Sequence, residues 1–405
     1  MLEVSQAQAI ILQHANPLPP VRVRLTSAAR GLVLAEAVRS DIDSPPYDKA
    51  MMDGYAVRTA DLTSGAAVLD VIEEVTAGRT PTRTVAAGQA TRIMTGAPLP
   101  AGADAVVMIE RTQPLDGQRV HIEGGPIQPG LNILPRGREM RAGEAVLHPG
   151  AELRPQEFGL LAAVGCDEVA VFPRPKVAIL PTGDELVEAA VKPGPGQIRN
   201  SNGPMLAAQV ERAGGVAVPL DIARDKVEHL KRFIVQGLEQ DVLLLSGGVS
   251  AGQLDLVPEV LTQLGVTSHF HKVAMKPGKP ILFGTRGTTL VFGLPGNPVS
   301  SLACFELFVR PALRRLGGRN EPGPRWWSLP LAMDFAYRTD RPTYYPVRLE
   351  VSEDGGLRFR PLPWFGSADL RALTQANALA LFPAGDTRHG AGQHFPVLPM
   401  DLEGW

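Results

Sequence analysis

From Lys176 to Leu316 the chain alternates short, unbroken apolar runs with segments of helical period, and that rhythm leaves few folds open. The runs are Val177-Ala-Ile-Leu180, Val216-Ala-Val218, Asp241-Val-Leu-Leu-Leu-Ser246 and Leu290-Val-Phe-Gly-Leu294. Continuous apolar strands of this length are buried on both faces, as in a parallel sheet covered by helices on each side. The covering helices are legible as stripes: Leu230, Phe233, Ile234 and Leu238, then Leu302, Phe305, Val309, Leu313 and Leu316. Residues three and four apart share a helix face, so both stripes are read as core-facing packing and not as ligand contacts.

Outside that stretch the grain changes. Ser5 followed by Gln8, ahead of Ile10, Ile11 and Leu12, predicts a capping box opening a short helix that Asn16-Pro17 stops. From about Ser44 to Gly137, short alternating runs such as Tyr55-Ala-Val57 and Ala105-Val-Val-Met-Ile109 are broken by Gly and Pro every few residues, which predicts a β-rich unit. After Gly317-Gly318, alternation returns at Tyr345, Val347, Leu349 and Val351, then at Leu357 and Phe359, predicting a small all-β domain at the end. Several folding units also follow from size, because 405 residues exceed what one core usually supports.

Charge narrows the function. Forty basic residues against 42 acidic ones leave a net charge of −2, so no bulk field draws nucleic acid or anionic lipid, and any anion binding must be local. Neither a basic cluster followed by an apolar stretch near the N-terminus nor a run of roughly 20 apolar residues occurs, so a cytoplasmic location with no membrane partner is expected. Cys166 and Cys304 sit among apolar neighbours and are read as buried thiols, not nucleophiles.

In an open parallel sheet, ligands gather beyond the carboxyl ends of the strands, and four segments there carry chemistry. Ser246-Gly-Gly-Val-Ser250 offers a flexible backbone whose successive N–H groups can cradle an anion, although a tight strand-to-helix turn would need the same glycines. Asp255 then caps the next helix. Leu294-Pro-Gly-Asn-Pro-Val-Ser300 places Asn297 as an N-cap and Pro298 at the first helical position, which either exposes a helix N-terminus to an anion or simply starts a helix. Lys272, Lys276 and Lys279 lie within eight residues on a proline-stiffened backbone and favour a phosphate or oxyanion. Pro181-Thr-Gly-Asp-Glu185 sets two carboxylates after a buried strand, suited to Mg²⁺; Asp184 reads equally as a helix cap, so Glu185 carries more weight. Asp53, beside Gly54 at the lip of a strand, is alone no more than a turn. His269 and His271 share a strand face, but no third metal ligand is evident. No phosphate loop, dinucleotide fingerprint or paired-cysteine zinc pattern occurs, and no nucleophile–base pair stands out. Anion sites with spaced carboxylates indicate a metal-assisted reaction on a phosphorylated ligand.

In chain order the segments MDGYAV, RIMTGAPLP, TGDEL, SGGVS, KPGKP and GLPGNPVS resemble those of the molybdopterin molybdenumtransferases, known as MoeA in bacteria and as the gephyrin E-domain. The resemblance spans nearly the whole chain, and MDGYAV separates it from adenylyltransferases that share only the sheet portion. It implies a multidomain α/β fold. An elongated domain would be built from residues 1–43 and 138–173, a β-rich domain from 44–137, a three-layer, mostly parallel αβα molybdopterin-binding (MogA-like) domain from 174–322, and a C-terminal β-barrel from 323–405. Catalytic roles carry over to Asp53, Glu185, Asp225, Asp255 and Lys276, with Glu139 joining the four carboxylates as a metal ligand. Thr95, Thr182, Gly183, Ser246, Gly247, Gly248, Ser250, Lys272, Lys279, Pro295, Gly296, Asn297 and Pro298 would line the ligand pocket. One departure is local: where the family commonly reads Gly-Glu-Asp, this chain reads Gly137-Arg138-Glu139, replacing one acid by a base and lengthening the reach of the other.

The resemblance further implies a Mg²⁺-dependent insertion of molybdate into adenylylated molybdopterin with release of AMP. The pterin dithiolene would supply the sulfur ligands, consistent with two unreactive cysteines. A homodimer sharing its active site between chains is expected, with the molybdopterin adenylyltransferase and molybdoenzyme maturation partners on either side of the reaction. The rival readings are an adenylyltransferase-like enzyme and a gephyrin-like scaffold; tungstate is a possible substitute for molybdate, being an oxyanion of almost the same size and charge.

Overall fold

The computed structural model describes residues 1–116, 118–123, 125, 127–249 and 256–400, so the expectations placed on Ser250 and Asp255 lie outside the described residues. The chain forms two compact units: residues 1–35 with 170–405, and residues 36–169.

The larger unit is organised by the predicted sheet. Its strands in chain order are β1 (Lys176–Pro181), β2 (Val216–Pro219), β3 (Val242–Ser246), β4 (Thr267–His271), β5 (Leu282–Arg286) and β6 (Thr289–Leu294), arranged β2-β1-β3-β6-β5-β4. The first four in that order run parallel, and β5 and β4 close the far edge antiparallel. Both faces are buried over β1, β3 and β6, as their unbroken apolar runs require, but not over β2, which lies at the sheet's edge with Val216 exposed and Ala217 and Val218 half-buried. Val177, Ile179, Val242 and Leu244 pack into one core with Leu206 and Val210 of the helix Asn202–Arg212, while Ala178, Leu180, Leu243 and Leu245 face a second core with Leu230, Phe233 and Ile234 of the helix Val227–Gly237. Successive strand residues point to opposite faces, so one sheet serves two cores and three layers result.

The stripe from Leu302 to Leu316 is buried as expected but is not one regular helix. It runs as α-helix over Pro298–Cys304, as π-helix over Phe305–Val309, and as α-helix again over Arg310–Leu316. Pro311 lacks the N–H that would bond back into the preceding turn, a local reason for the irregularity. The N-terminal helix spans Val4–His14 and has its capping box two residues earlier than expected, with Glu3 as N-cap and its N–H donated to Gln6 Oε1 at 2.9 Å. Ser5 and Gln8 therefore lie inside the helix, and the Gln8 amide donates instead to the Leu307 carbonyl at 2.8 Å.

At the C-terminal end, strands Trp327–Pro330, His394–Pro399, Ala378–Phe382, Thr343–Val351 and Leu357–Pro361 form a five-stranded sheet in that order. Its two edges meet where Ala332 N–H donates to the Phe359 carbonyl at 2.8 Å, so the sheet nearly closes into the expected barrel. Tyr345, Val347 and Leu349 point inward as their alternation predicts, whereas Val351, the last residue of its strand, is exposed.

The smaller unit is β-rich over the expected stretch. Ala105–Met108, Gly54–Val57, Gln89–Ile93, Ala66–Val75, Arg119–Glu123 and Thr112–Pro114 make a mixed six-stranded sheet in that order. Gly54 is required there, because a Cβ at that position would collide with the Val107 carbonyl of the neighbouring strand.

Candidate active site

Parallel register brings Pro181, Ser246 and Leu294 level with one another at the carboxyl ends of β1, β3 and β6. Three of the predicted motif turns therefore leave the sheet side by side. They are tied together by backbone bonds: Thr182 N–H donates to the Ser246 carbonyl at 3.0 Å, and Gly247 N–H donates to the Leu294 carbonyl at 3.1 Å. Gly247 adopts φ +104°, and a Cβ there would meet the Thr182 carbonyl oxygen at 2.5 Å. Only glycine allows the three turns to approach this closely.

They enclose a cavity of about 530 Å³ lined by Thr182, Glu185, Ser246, Gly247, Gly248, Pro295, Gly296, Asn297 and Pro298, together with the segment Ile198–Asn202 and residues near Leu370. Sequence reasoning found the former group and missed the latter. Asn202 is the most informative omission. Its Nδ2 donates to Ser246 Oγ and to the Gly296 carbonyl, each at 2.8 Å, joining two of the turns through one side chain. Asn202 is only 8% exposed, and its Oδ1 accepts from no group among the described residues. A buried acceptor left open on a cavity wall is matched to a donor that arrives with ligand or water. The signal available was the polar run Asn200-Ser-Asn202, which opens a helix.

Glu185 opens on this cavity, whereas Gly183 and Asp225 do not line it. Asp184 caps no helix; instead Asp225 N–H donates to Asp184 Oδ1 at 3.1 Å and Asp184 N–H donates to Asp225 Oδ2 at 3.3 Å. Arg224 holds the same turn from behind, donating to the Asp184 and Leu186 carbonyls at 3.0 and 2.9 Å. Asn297 and Pro298 take the N-cap and first helical positions as predicted, but the Asn297 side chain donates to Ser367 Oγ at 2.8 Å and makes no cap bond.

A second cavity of about 540 Å³ shares Pro280, Pro295 and Asn297 with the first and gathers three cations, Lys276, Lys279 and Arg341, where the first is lined by one, Arg199. Lys272 lines neither, and its backbone is fixed with φ 87° by an N–H bond to the Ile281 carbonyl at 2.9 Å. The Lys276 backbone is stitched to the C-terminal barrel, its N–H donating to the Pro342 carbonyl at 2.9 Å and its carbonyl accepting from Tyr344 N–H at 2.7 Å. Its ammonium lies 5.5 Å from the centre of the Tyr337 ring, a cation–π contact. Tyr337, Arg341, Trp364, Phe365 and Ser367 complete the wall, all from the C-terminal segment and all missed from sequence.

In the smaller unit, Asp53 and Thr95 are brought together: Asp53 Oδ1 accepts from both the N–H and the hydroxyl of Thr95 at 2.7 Å. The Thr95 backbone bond, and then its hydroxyl, hold the Asp53 carboxyl below the usual aspartate range, so it is an anion at neutral pH. Thr95 thus orients Asp53. Glu139 is held differently, its Oε2 accepting from Ser44 Oγ at 2.7 Å.

The histidine pair has other uses. His269 Nε2 bonds Thr285 Oγ1 at 2.9 Å with its ring stacked on His14, and His271 Nε2 bonds the Val249 carbonyl at 2.8 Å. Burial pushes the Cys304 thiol well above the ordinary range, so it is no nucleophile.

A parallel αβα sheet with glycine turns, a carboxylate and a basic annex, joined to a β-rich unit and a terminal barrel, defines a multidomain enzyme of the molybdopterin-binding class. Family models match successive parts of the chain: the MoeA N-terminal region (domains I and II) at residues 2–165, a probable molybdopterin binding domain at 178–315, and the MoeA C-terminal region (domain IV) at 328–400. The molybdopterin molybdenumtransferase of Nostoc sp. is 37% identical over 385 residues, covering 93% of this chain and 88% of the relative. Molybdopterin molybdenumtransferase 2 of Mycobacterium tuberculosis is 38% identical over 409 residues, covering 98% and 99%. The crystal structure of the molybdopterin biosynthesis MoeA protein of Pyrococcus horikoshii superposes with a TM-score of 0.83 at 30% identity, covering 98% of this chain and all of that one. The chain belongs to the molybdopterin molybdenumtransferase family, transferases of molybdenum cofactor biosynthesis. No helix among the described residues is long and apolar enough to cross a membrane.

Proposed function

We propose that this protein inserts molybdate into adenylylated molybdopterin and releases AMP. The observation that carries the reading is the adjacency of the two cavities, which share the walls Pro280, Pro295 and Asn297 and set a glycine-and-carboxylate chamber beside a three-cation annex. In this reading the Ser246-Gly-Gly backbone and the open Asn202 acceptor hold the adenylyl end, and Lys276, Lys279 and Arg341 hold molybdate against the pterin dithiolene. Fixed cations stabilise an oxyanion without the reorganisation that water would need.

Mg²⁺ is tested by the donors present. Among the described residues no three His, Cys, Asp or Glu side chains gather as a metal cage. Mg²⁺ commonly takes one or two carboxylates with water and substrate phosphates, and Glu185 on the cavity wall fits that pattern, whereas Asp225, bonded to Asp184 and outside the cavity lining, would reach the ion only through water. When bound, the ion would offset charge on the phosphoanhydride. Asp53 and Glu139 serve in this reading as carboxylates contributed by the partner chain of a homodimer. The four-domain division, a cytoplasmic location, and work between an adenylyltransferase and molybdoenzyme maturation partners belong to the same proposal.

The test is AMP release from adenylylated molybdopterin in Mg²⁺, with and without molybdate. Release that requires molybdate supports insertion; release without it favours simple hydrolysis, and none at all overturns the reading. For the shared site, mixing an Asp53→Asn chain with a Glu185→Gln chain should restore part of the activity each lacks, and no recovery would argue for a site within one chain.

A further inference from the structure

Phe365 is 93% exposed, the most exposed of the large apolar side chains among the described residues. A free surface phenylalanine is ordinary when its backbone is loose, but this one is held on both sides. Its N–H donates to Asp369 Oδ2 at 3.2 Å, while the other oxygen of that carboxylate caps the following short helix at Ala372 N–H, 3.1 Å away. Two residues on, Ser367 accepts from the Asn297 amide at 2.8 Å through its hydroxyl and from Val299 N–H at 3.0 Å through its carbonyl. Gly366, at φ +121°, makes the turn between these anchors. The ring is thus presented from a fixed mount, at the rim of the cavity that holds Lys276, Lys279 and Arg341.

We propose that Phe365 is a stacking platform for the pterin ring of the substrate, a specificity-determining contact for the reaction proposed above, on which this inference rests. An apolar face beside three cations is suited to a ligand with a planar heteroaromatic part and an oxyanion close to it. In adenylylated molybdopterin the dithiolene that meets molybdate is one pyran ring from the pterin, whereas the adenine is removed by the phosphoanhydride and a ribose. If the oxyanion sits among the lysines, the pterin is the ring within reach of Phe365, and the adenine falls towards the glycine chamber. Stacking costs the protein no new order, because the mount is already fixed.

The experiment uses the full chain and two readouts. Binding of adenylylated molybdopterin is followed by quenching of pterin emission in the wild type, Phe365→Ala and Phe365→Trp, with AMP binding measured alongside; molybdate-dependent AMP release is measured separately. Stacked rings contribute enough that Phe365→Ala should weaken pterin binding about tenfold, with Phe365→Trp close to wild type and AMP affinity unchanged. Equal pterin affinity in wild type and Phe365→Ala, or a loss shared equally by AMP, overturns the stacking role even when turnover is normal. A drop in oligomer size in Phe365→Ala by sedimentation also overturns it, by assigning the ring to a contact between copies. Quenching that depends on Phe365 without any AMP release would instead leave the stack in place and refute the insertion reading.

Discussion

In the proposed function, the two neighbouring cavities recognise charge by different means. At the glycine end, recognition belongs to the backbone: Gly247 and Gly248 have positive φ, and the Asn202 amide locks Ser246 to Gly296. At the basic end it belongs to long side chains, whose position depends on the C-terminal β-segment through the bonds of Lys276 to Pro342 and Tyr344 and through the Tyr337 ring. A backbone site is rigid and intolerant of any added atom. A side-chain site is adjustable, and its defects can be overcome by more ligand.

Substitutions can separate these behaviours. Gly247→Ala should have the largest effect, because its Cβ would press on the Thr182 carbonyl in a backbone conformation that L-residues rarely adopt. A loss of about 2 kcal/mol or more of stability is expected. Turnover should fall about a hundredfold without rescue by molybdate; thermal unfolding and AMP release check both. Lys276→Ala should leave unfolding nearly unchanged and raise the molybdate concentration needed for half-maximal rate by at least about tenfold, as loss of a charge-assisted contact predicts. If Lys276→Ala proved as unresponsive to added molybdate as Gly247→Ala, the distinction between the ends would collapse. Tyr337→Leu should raise the molybdate requirement about threefold, in line with a partly exposed cation–π contact, while Tyr337→Phe stays near wild type.

The smallest effect concerns pH. Burial, and then the neighbouring His14, hold His269 below the ordinary histidine range. The unfolded chain therefore binds a proton there more readily than the folded one. The associated stability is complete above the unfolded pKa of about 6.5 and declines as pH falls towards the folded value. Melting temperature should drop slightly from about pH 7 to pH 5.5, and His269→Phe should flatten that slope. A slope unchanged by the substitution would place the titration elsewhere.

These ends also differ in how far they could be read from the chain. Thr182, Glu185, Ser246, Gly247, Gly248 and Asn297 were legible because each follows a buried strand, and parallel strands deliver their carboxyl ends to one edge. Tyr337 lies in a strand and Arg341, Trp364 and Phe365 lie in the connections between strands, where nothing local tells a cavity wall from a barrel surface; long-range bonds at Lys276, Asn297 and Val299 bring them to the site. Lys272 shows the reverse error. It shares the lysine cluster in sequence, yet the backbone at φ 87° and the intervening prolines take it out of both cavities. The capping box at Glu3 and the π-helix at Phe305–Val309 were missed for a simpler reason, since caps and helix irregularities turn on single hydrogen bonds that periodicity does not encode.

The most direct measurement is a single turnover of the full-length protein with adenylylated molybdopterin and Mg²⁺, counting AMP released and molybdenum bound in the pterin product at low and high molybdate. The account predicts one AMP per molybdenum inserted in the wild type, and in Lys276→Ala the same ratio reached only at high molybdate. AMP appearing without molybdate, or in excess of the molybdenum inserted, would contradict it.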